Sequence, residues 1–178
     1  RDAGAGAVWA IEPDPRCYED LRRLVGADHL LAVALGDQVG TTTLYRSRLA
    51  AHNSCWAANL LEPSVDWPAL TVPVTTLDAL QAMGLLPPQI DMVKVDAQGA
   101  ELHILRGAER LIATQHPRWC LEFWPQGLER AGSSVPAIVA FLADRGYVPI
   151  NKGSWAQVET YCATVTGHGS IDILVKAA

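Results

Sequence analysis

The chain has 178 residues, 49% of them hydrophobic, which suits one domain with a real core. A formal net charge of -5, with no run of Lys or Arg, argues against a nucleic-acid-binding surface. No apolar stretch reaches the roughly 18 residues of a membrane span, no signal peptide is evident, and Cys17, Cys55, Cys120 and Cys162 form no C-x-x-C pair, so membrane, zinc and thioredoxin-like classes recede and a cytoplasmic protein with reduced thiols is expected.

Residues 7–11 form an apolar strand ending at Glu12. Asp14 is placed to cap a helix with Pro15 at its first position, where a missing N–H costs nothing. Cys17, Tyr18, Leu21, Leu24 and Val25 recur at helical spacing, and Gly26 stops the helix. Residues 30–35 read as the next buried strand, closed by Gly36 and Asp37. The β-branched and aromatic content of residues 41–45 predicts a strand that extends the sheet or forms a hairpin after the turn at 38–40. Over residues 46–69 the pattern fails, with Trp56 and Trp67 among polar residues. A long surface segment of that kind is expected to be a lid or binding loop.

Residues 71–74 read as a strand, and Thr75 or Thr76 can cap a short helix running to Met83 and ending at Gly84. Pro87 and Pro88 lead into a central strand from Ile90. After Gly99, a helix carries Ile104, Leu105, Ala108, Leu111 and Ile112 on one face. Residues 119–124 predict a strand interrupted by Glu122. Ser134, Pro136, Ile138, Val139, Leu142 and Gly146 mark a capped and terminated helix, and strands near 147–150 and 171–175 close the chain. Strands alternating with helices predict a right-handed, mostly parallel α/β sheet.

The most informative stretch runs from Ile90 through Lys94, Asp96 and Gly99 to Glu101. A strand buried on both faces of a parallel sheet should be an unbroken apolar run, and Lys94 breaks it. Lys94 and Asp96, two apart, share a face at the carboxyl end of the strand, where open α/β sheets place ligands. Glu12 also ends a strand. A carboxylate there either accepts hydrogen bonds from ribose hydroxyls or is a solvated side chain beside a helix N-terminus. Asp37 either touches a base or shapes its turn. With Glu122, four strands carry carboxylates at or near one edge.

Three stretches then carry a resemblance: Val8-Trp9-Ala10-Ile11-Glu12-Pro13-Asp14-Pro15, Val74-Thr75-Thr76-Leu77-Asp78, and Asp91-Met92-Val93-Lys94-Val95-Asp96-Ala97-Gln98-Gly99-Ala100-Glu101 with Leu105-Arg106-Gly107-Ala108. Together with Leu121-Glu122-Phe123, and with Asn53-Ser54 and Leu60 in an Asn- and Ser-rich loop, they resemble the FkbM family of S-adenosylmethionine-dependent methyltransferases over nearly the whole chain. The resemblance implies a Rossmann-like class I methyltransferase fold, mostly parallel with an antiparallel last strand at 171–175. It also implies methyl transfer from S-adenosylmethionine to a hydroxyl on a small molecule, glycan or natural product. Cofactor contacts would be Glu12 on the ribose, Pro13 beside it, Asp37 near the adenine, and Asp96. Catalysis would belong to Asp96 and Lys94, the lysine as ion-pair partner or substrate contact. No metal, nucleic acid or membrane is implied, and the oligomeric state is left open.

One departure matters. The family's glycine-rich loop should precede Glu12 by roughly twenty residues. Asp2-Ala3-Gly4-Ala5-Gly6 imitates it, but five residues between Gly6 and Glu12 cannot hold a loop, a helix and a strand. Arg1 to Gly6 are therefore expected to enter the second strand of an N-terminally truncated domain that lacks the first strand and helix.

In-line displacement at the sulfonium methyl draws on positioning, and an alcohol acceptor also needs a base, whose identity stays open. His103 either reaches the cleft or, as favoured, lies at the surface, the other histidines have no metal spacing, and Glu101 reads as a dipole or capping carboxylate. Trp56 and Trp67 either line an acceptor pocket or anchor the loop, with anchoring favoured. A nicotinamide-dependent oxidoreductase needs the glycine loop and a Tyr-Lys or His partner set, which Tyr18, Tyr45, Tyr147 and Tyr161 do not supply. A non-catalytic α/β binding module is the stronger rival.

Overall fold

The computed structural model describes residues 6–48, 50–59, 66 and 68–178. Strand β1 (Ala10–Ile11) is shorter than its apolar run and pairs in parallel with β2 (Leu30–Leu31). Between them, Asp14 caps a 3₁₀ turn at Pro15–Cys17, and α1 (Tyr18–Val25) ends at Gly26, whose φ of 97° suits glycine. The run at 30–35 does not form one strand. It breaks at Ala32 and Val33 into β2 and β3 (Ala34–Leu35), because its halves serve different partners.

Strand β4 (Gly40–Leu44) and β5 (Leu70–Thr75) are antiparallel, and β5 lies between β3 and β4. The segment at 41–45 thus extends the sheet rather than folding back on β3. The described part of residues 46–59 corrects the expectation of a surface lid. Tyr45 bridges Ser54 in antiparallel fashion, 3₁₀ turns form at Ala50–His52 and Ala57–Asn59, and Ser47, Ser54 and Asn59 are buried.

Helix α2 (Leu77–Ala82) starts at Thr76, whose hydroxyl accepts from the Ala79 N–H. After β6 (Met92–Val95), the expected single helix divides into α3 (Glu101–Arg106) and α4 (Glu109–Gln115). Two features mark the break. A side chain at Gly107 would drive into the Gly36 carbonyl. In addition, Asp78 restarts the helix by accepting from the Arg110 N–H (2.8 Å) and the Leu111 N–H (2.9 Å).

Next come β7 (Arg118–Phe123), α5 (Pro125–Arg130), α6 (Val135–Ala143), β8 (Tyr147–Pro149), α7 (Trp155–Cys162) and β9 (Ile171–Ala177). Helices α5 and α7 have no counterpart in the sequence reading. Strands β6, β7, β9 and β8 lie side by side in that order. β6 and β7 are parallel, and β9 is antiparallel to both its neighbours. The sheets of this α/β chain are therefore mixed, and the mostly parallel expectation holds only in part.

Val95, Trp119, Leu121, Phe123, Ile173 and Val175 alternate onto one face of that sheet and join a core with Leu105, Leu111, Ile138, Leu142 and Val158. The same alternation turns Lys94, Cys120, Glu122 and Asp172 to the other face. Among the described residues no helix is long and apolar enough to cross a membrane.

Candidate active site

Register assembles the polar face. Lys94 lies opposite Cys120 on β7, and Glu122 lies opposite Asp172 on β9. Lys94 reaches across β7, its Nζ 3.1 Å from Asp172 Oδ1 and 3.8 Å from Asp96 Oδ2. The lysine–aspartate pair of the motif is thus real but loose, and its tighter partner comes from the far end of the chain. Burial alone would lower the Lys94 ammonium, but Asp172 and Asp96 hold it above its ordinary value. All three side chains are about half exposed, so these pairs place charge more than they stabilise the fold.

Beyond Asp96 the backbone turns sharply. Gln98 takes a φ of 51°, in the left-handed region, and Gly99 one of 108°. The turn sends the Gln98 amide to two carboxylates, with Nε2 3.3 Å from Asp96 Oδ1 and 3.0 Å from Glu122 Oε2. Glu122 Oε1 accepts from the Ser170 hydroxyl at 2.7 Å. Around Glu122 lies a pocket of about 160 Å³ walled by His52, Gln98, Trp124, His168 and Ser170. Burial is the main cause that raises the Glu122 carboxyl; the Ser170 bond works against it, and the charges of Asp96 and Asp172 add to it. His52 brings to this wall a buried Nδ1 that has no hydrogen-bond partner.

Glu101 lies beneath the turn, 1% exposed, and accepts from the N–H groups of Ala97 (2.9 Å) and Gly99 (3.0 Å). Burial pushes its carboxyl up to about 7 despite those bonds. It is a capping carboxylate that shapes the loop, in line with the sequence reading.

The second group of acids lies after β1. Glu12 is half-buried and accepts the Asp14 N–H at 2.7 Å through Oε1, while Oε2 has no partner among the described residues. Burial raises its carboxyl. The Pro13 carbonyl is taken by the Tyr18 hydroxyl at 3.1 Å. Asp14 is fully buried. Burial alone would raise its carboxyl, but bonds from Arg16 and from Asn53 Nδ2 (2.6 Å) hold it below the usual range. Asp37 Oδ2 lies 2.9 Å from His103 Nδ1, and the His103 ring packs on Trp56 at a centroid distance of 5.5 Å. His103 is thus a partner of Asp37 rather than a free surface histidine, and Trp56 is an anchor. Trp67 and Leu60 lie outside the described residues.

Residues 46–59 join the two groups. Asn53 Oδ1 accepts from Arg16 and from the Ser47 N–H on the Glu12 side. On the Asp96 side, the Ser54 hydroxyl (3.1 Å) and Asn59 Nδ2 (2.8 Å) donate to the Gln98 carbonyl, and Asn59 also reaches the Gly127 carbonyl. No hydrogen bond or ion pair among the described residues links Glu12 directly to Lys94 or Asp96. Gln98, Ser170, Asp172, His52 and His168 were missed as site residues, because their partners lie far away in the chain and leave no local pattern. No group of His, Cys, Asp and Glu among the described residues is arranged to hold a metal ion.

The family model described as the methyltransferase FkbM domain matches residues 1–149. His168, Ser170 and Asp172 therefore come from beyond the matched stretch. No curated protein and no solved structure matches the chain significantly. With most of its length matched, and with the lysine–aspartate turn, the strand-end glutamate and the Asn-Ser segment assembled as described, the chain belongs to the FkbM methyltransferase family.

Proposed function

We propose that the chain is an S-adenosylmethionine-dependent methyltransferase that acts on a hydroxyl of a small molecule, glycan or natural product. The observation that carries the cofactor assignment is Glu12. A half-buried carboxylate at the carboxyl end of a parallel strand keeps one oxygen uncommitted among the described residues, and that suits the paired hydroxyls of a ribose. Asp37, whose Oδ1 has no partner among the described residues beside the Oδ2 contact to His103, fits the adenine end. The order β6-β7-β9-β8 with β9 antiparallel, beside the parallel pair β1-β2, supports a Rossmann-like class I sheet.

When bound, S-adenosylmethionine supplies an electrophilic methyl group on a sulfonium. The chain's own residues do the rest. Glu12 holds the ribose, and Pro13 fixes the turn that follows. Asp96 faces the transfer site. Lys94 balances Asp96 and Asp172, which lessens the repulsion between those two carboxylates.

Calorimetric titration of S-adenosylhomocysteine into the full-length protein tests the reading. Binding is expected, and Glu12→Ala should weaken it about 10–100-fold, the worth of one or two hydrogen bonds to a charged group. A folded full-length protein that takes up no S-adenosylhomocysteine would sink the assignment and leave a non-catalytic α/β binding module.

A further inference from the structure

The carboxylates around the turn differ in what already engages them. Asp96 and Asp172 share the Lys94 ammonium. Both oxygens of Glu101 are taken by backbone N–H groups, beneath the loop. Glu122 is different. It lines the pocket, and its donors are the neutral Ser170 hydroxyl and Gln98 amide, one on each oxygen, while the Asp96 carboxyl lies within hydrogen-bonding reach and raises it further. Each carboxylate oxygen has room for about two donors, so both retain accepting capacity.

We propose that Glu122 is the base that takes the proton of the acceptor hydroxyl, and that this hydroxyl enters the pocket between His52, Trp124, His168 and Ser170. The proposal rests on the methyltransferase reading and adds to it. The proton passes from the acceptor oxygen to a Glu122 oxygen. The O–H electron pair stays on the acceptor oxygen and becomes the new O–C bond, while the departing sulfur takes back the S–C pair as a neutral thioether.

Three features favour Glu122 over its neighbours. An ammonium competes for the electron pair a base must offer, and Glu122 has no such partner among the described residues. Burial, with the charges of Asp96 and Asp172, raises its affinity for a proton, and a base gains as its pKa nears working pH. Its two donors fix the carboxylate's direction, so Gln98 and Ser170 are positioning residues. The titratable groups around it are Asp96, Asp172 and Glu101 among the acids, Lys94, and the pocket histidines His52 and His168.

Carbon-13 carboxyl NMR of the full-length protein reads the base directly. The Glu122 signal is assigned by its loss in Glu122→Gln, which keeps an acceptor oxygen for Ser170. Should that variant fail to fold, Ser170→Ala identifies the same signal by moving its titration midpoint upward. With S-adenosylhomocysteine bound, glycerol at molar concentration serves as a hydroxyl probe. The expected result is a saturable shift of the Glu122 signal, with S-adenosylhomocysteine affinity unchanged in Glu122→Gln. A Glu122 signal indifferent to glycerol while S-adenosylhomocysteine binds overturns the base and leaves the methyltransferase reading standing. No S-adenosylhomocysteine binding overturns both. With any alcohol that is turned over, Glu122→Gln should lower kcat about 10²–10⁴-fold and remove the acid limb of the pH profile. An unchanged kcat also overturns the proposal.

Discussion

Glu101 and Glu122 are both carboxyls drawn away from water, yet one works on the loop and the other faces a cavity. Glu101 carries the larger consequence for stability. Its folded-state value of about 7 lies above the ordinary 4.5, so folding takes up a proton between the two. Its contribution is therefore fully present below about 4.5 and weakens as pH rises towards 7. Thermal unfolding across that window should show the melting temperature of the parent falling relative to Glu101→Gln, which has nothing to titrate there. Parallel pH curves for the two proteins would contradict this. Glu101 was readable as a cap because its partners sit two and four residues away. Gln98, Ser170 and Asp172 were not readable. The Lys94–Asp172 contact spans 78 residues, and the Ser170–Glu122 bond 48.

At the level of elements, local signals were sound where they bounded a helix and weak where a distant group interrupted one. Gly26, Thr76, Ser134 and Gly146 act where the sequence placed them. The division of α3 from α4 depends on Asp78, about thirty residues upstream, and periodicity carries no trace of it. Asp78→Ala should remove the restart of α4 and cost about 1–2 kcal/mol in urea unfolding, the usual worth of a cap. A cost near zero would mean that burial of Leu111 and Ile112 alone starts the helix. Helix α7 was the avoidable miss. Ser154 and Gln157 form a complete capping box, and that spacing stands openly in the sequence. The split of residues 30–35 was hidden for another reason: an apolar run shows that it is buried, not which strand will claim each half.

Across the whole molecule, the alternation of strands and helices was legible and the pairing was not, since register depends on which edges meet. The segment at 46–59 shows how much this matters. Its polarity suggested a loop over water, whereas Asn53, Ser54 and Asn59 spend that polarity on the turns after β1 and β6. Asn53→Ala removes a donor from buried Asp14 on one side. It should also raise hydrogen exchange at the Gly99 amide on the other, through the Ser54–Gln98 bond beside it. Exchange at Gly99 that does not respond would show the two loops to be independent.

The same ties limit how such a protein can be redesigned. The stretch between β4 and β5 looks like the natural place to graft a loop for a new acceptor, since His52 already stands in the pocket wall. A graft there would discard Asn53 and Ser54 with the wall, and with them the brace on the turn that presents Glu12. A library built at this stretch will therefore select for donor affinity and acceptor choice together, unless those two residues are held constant.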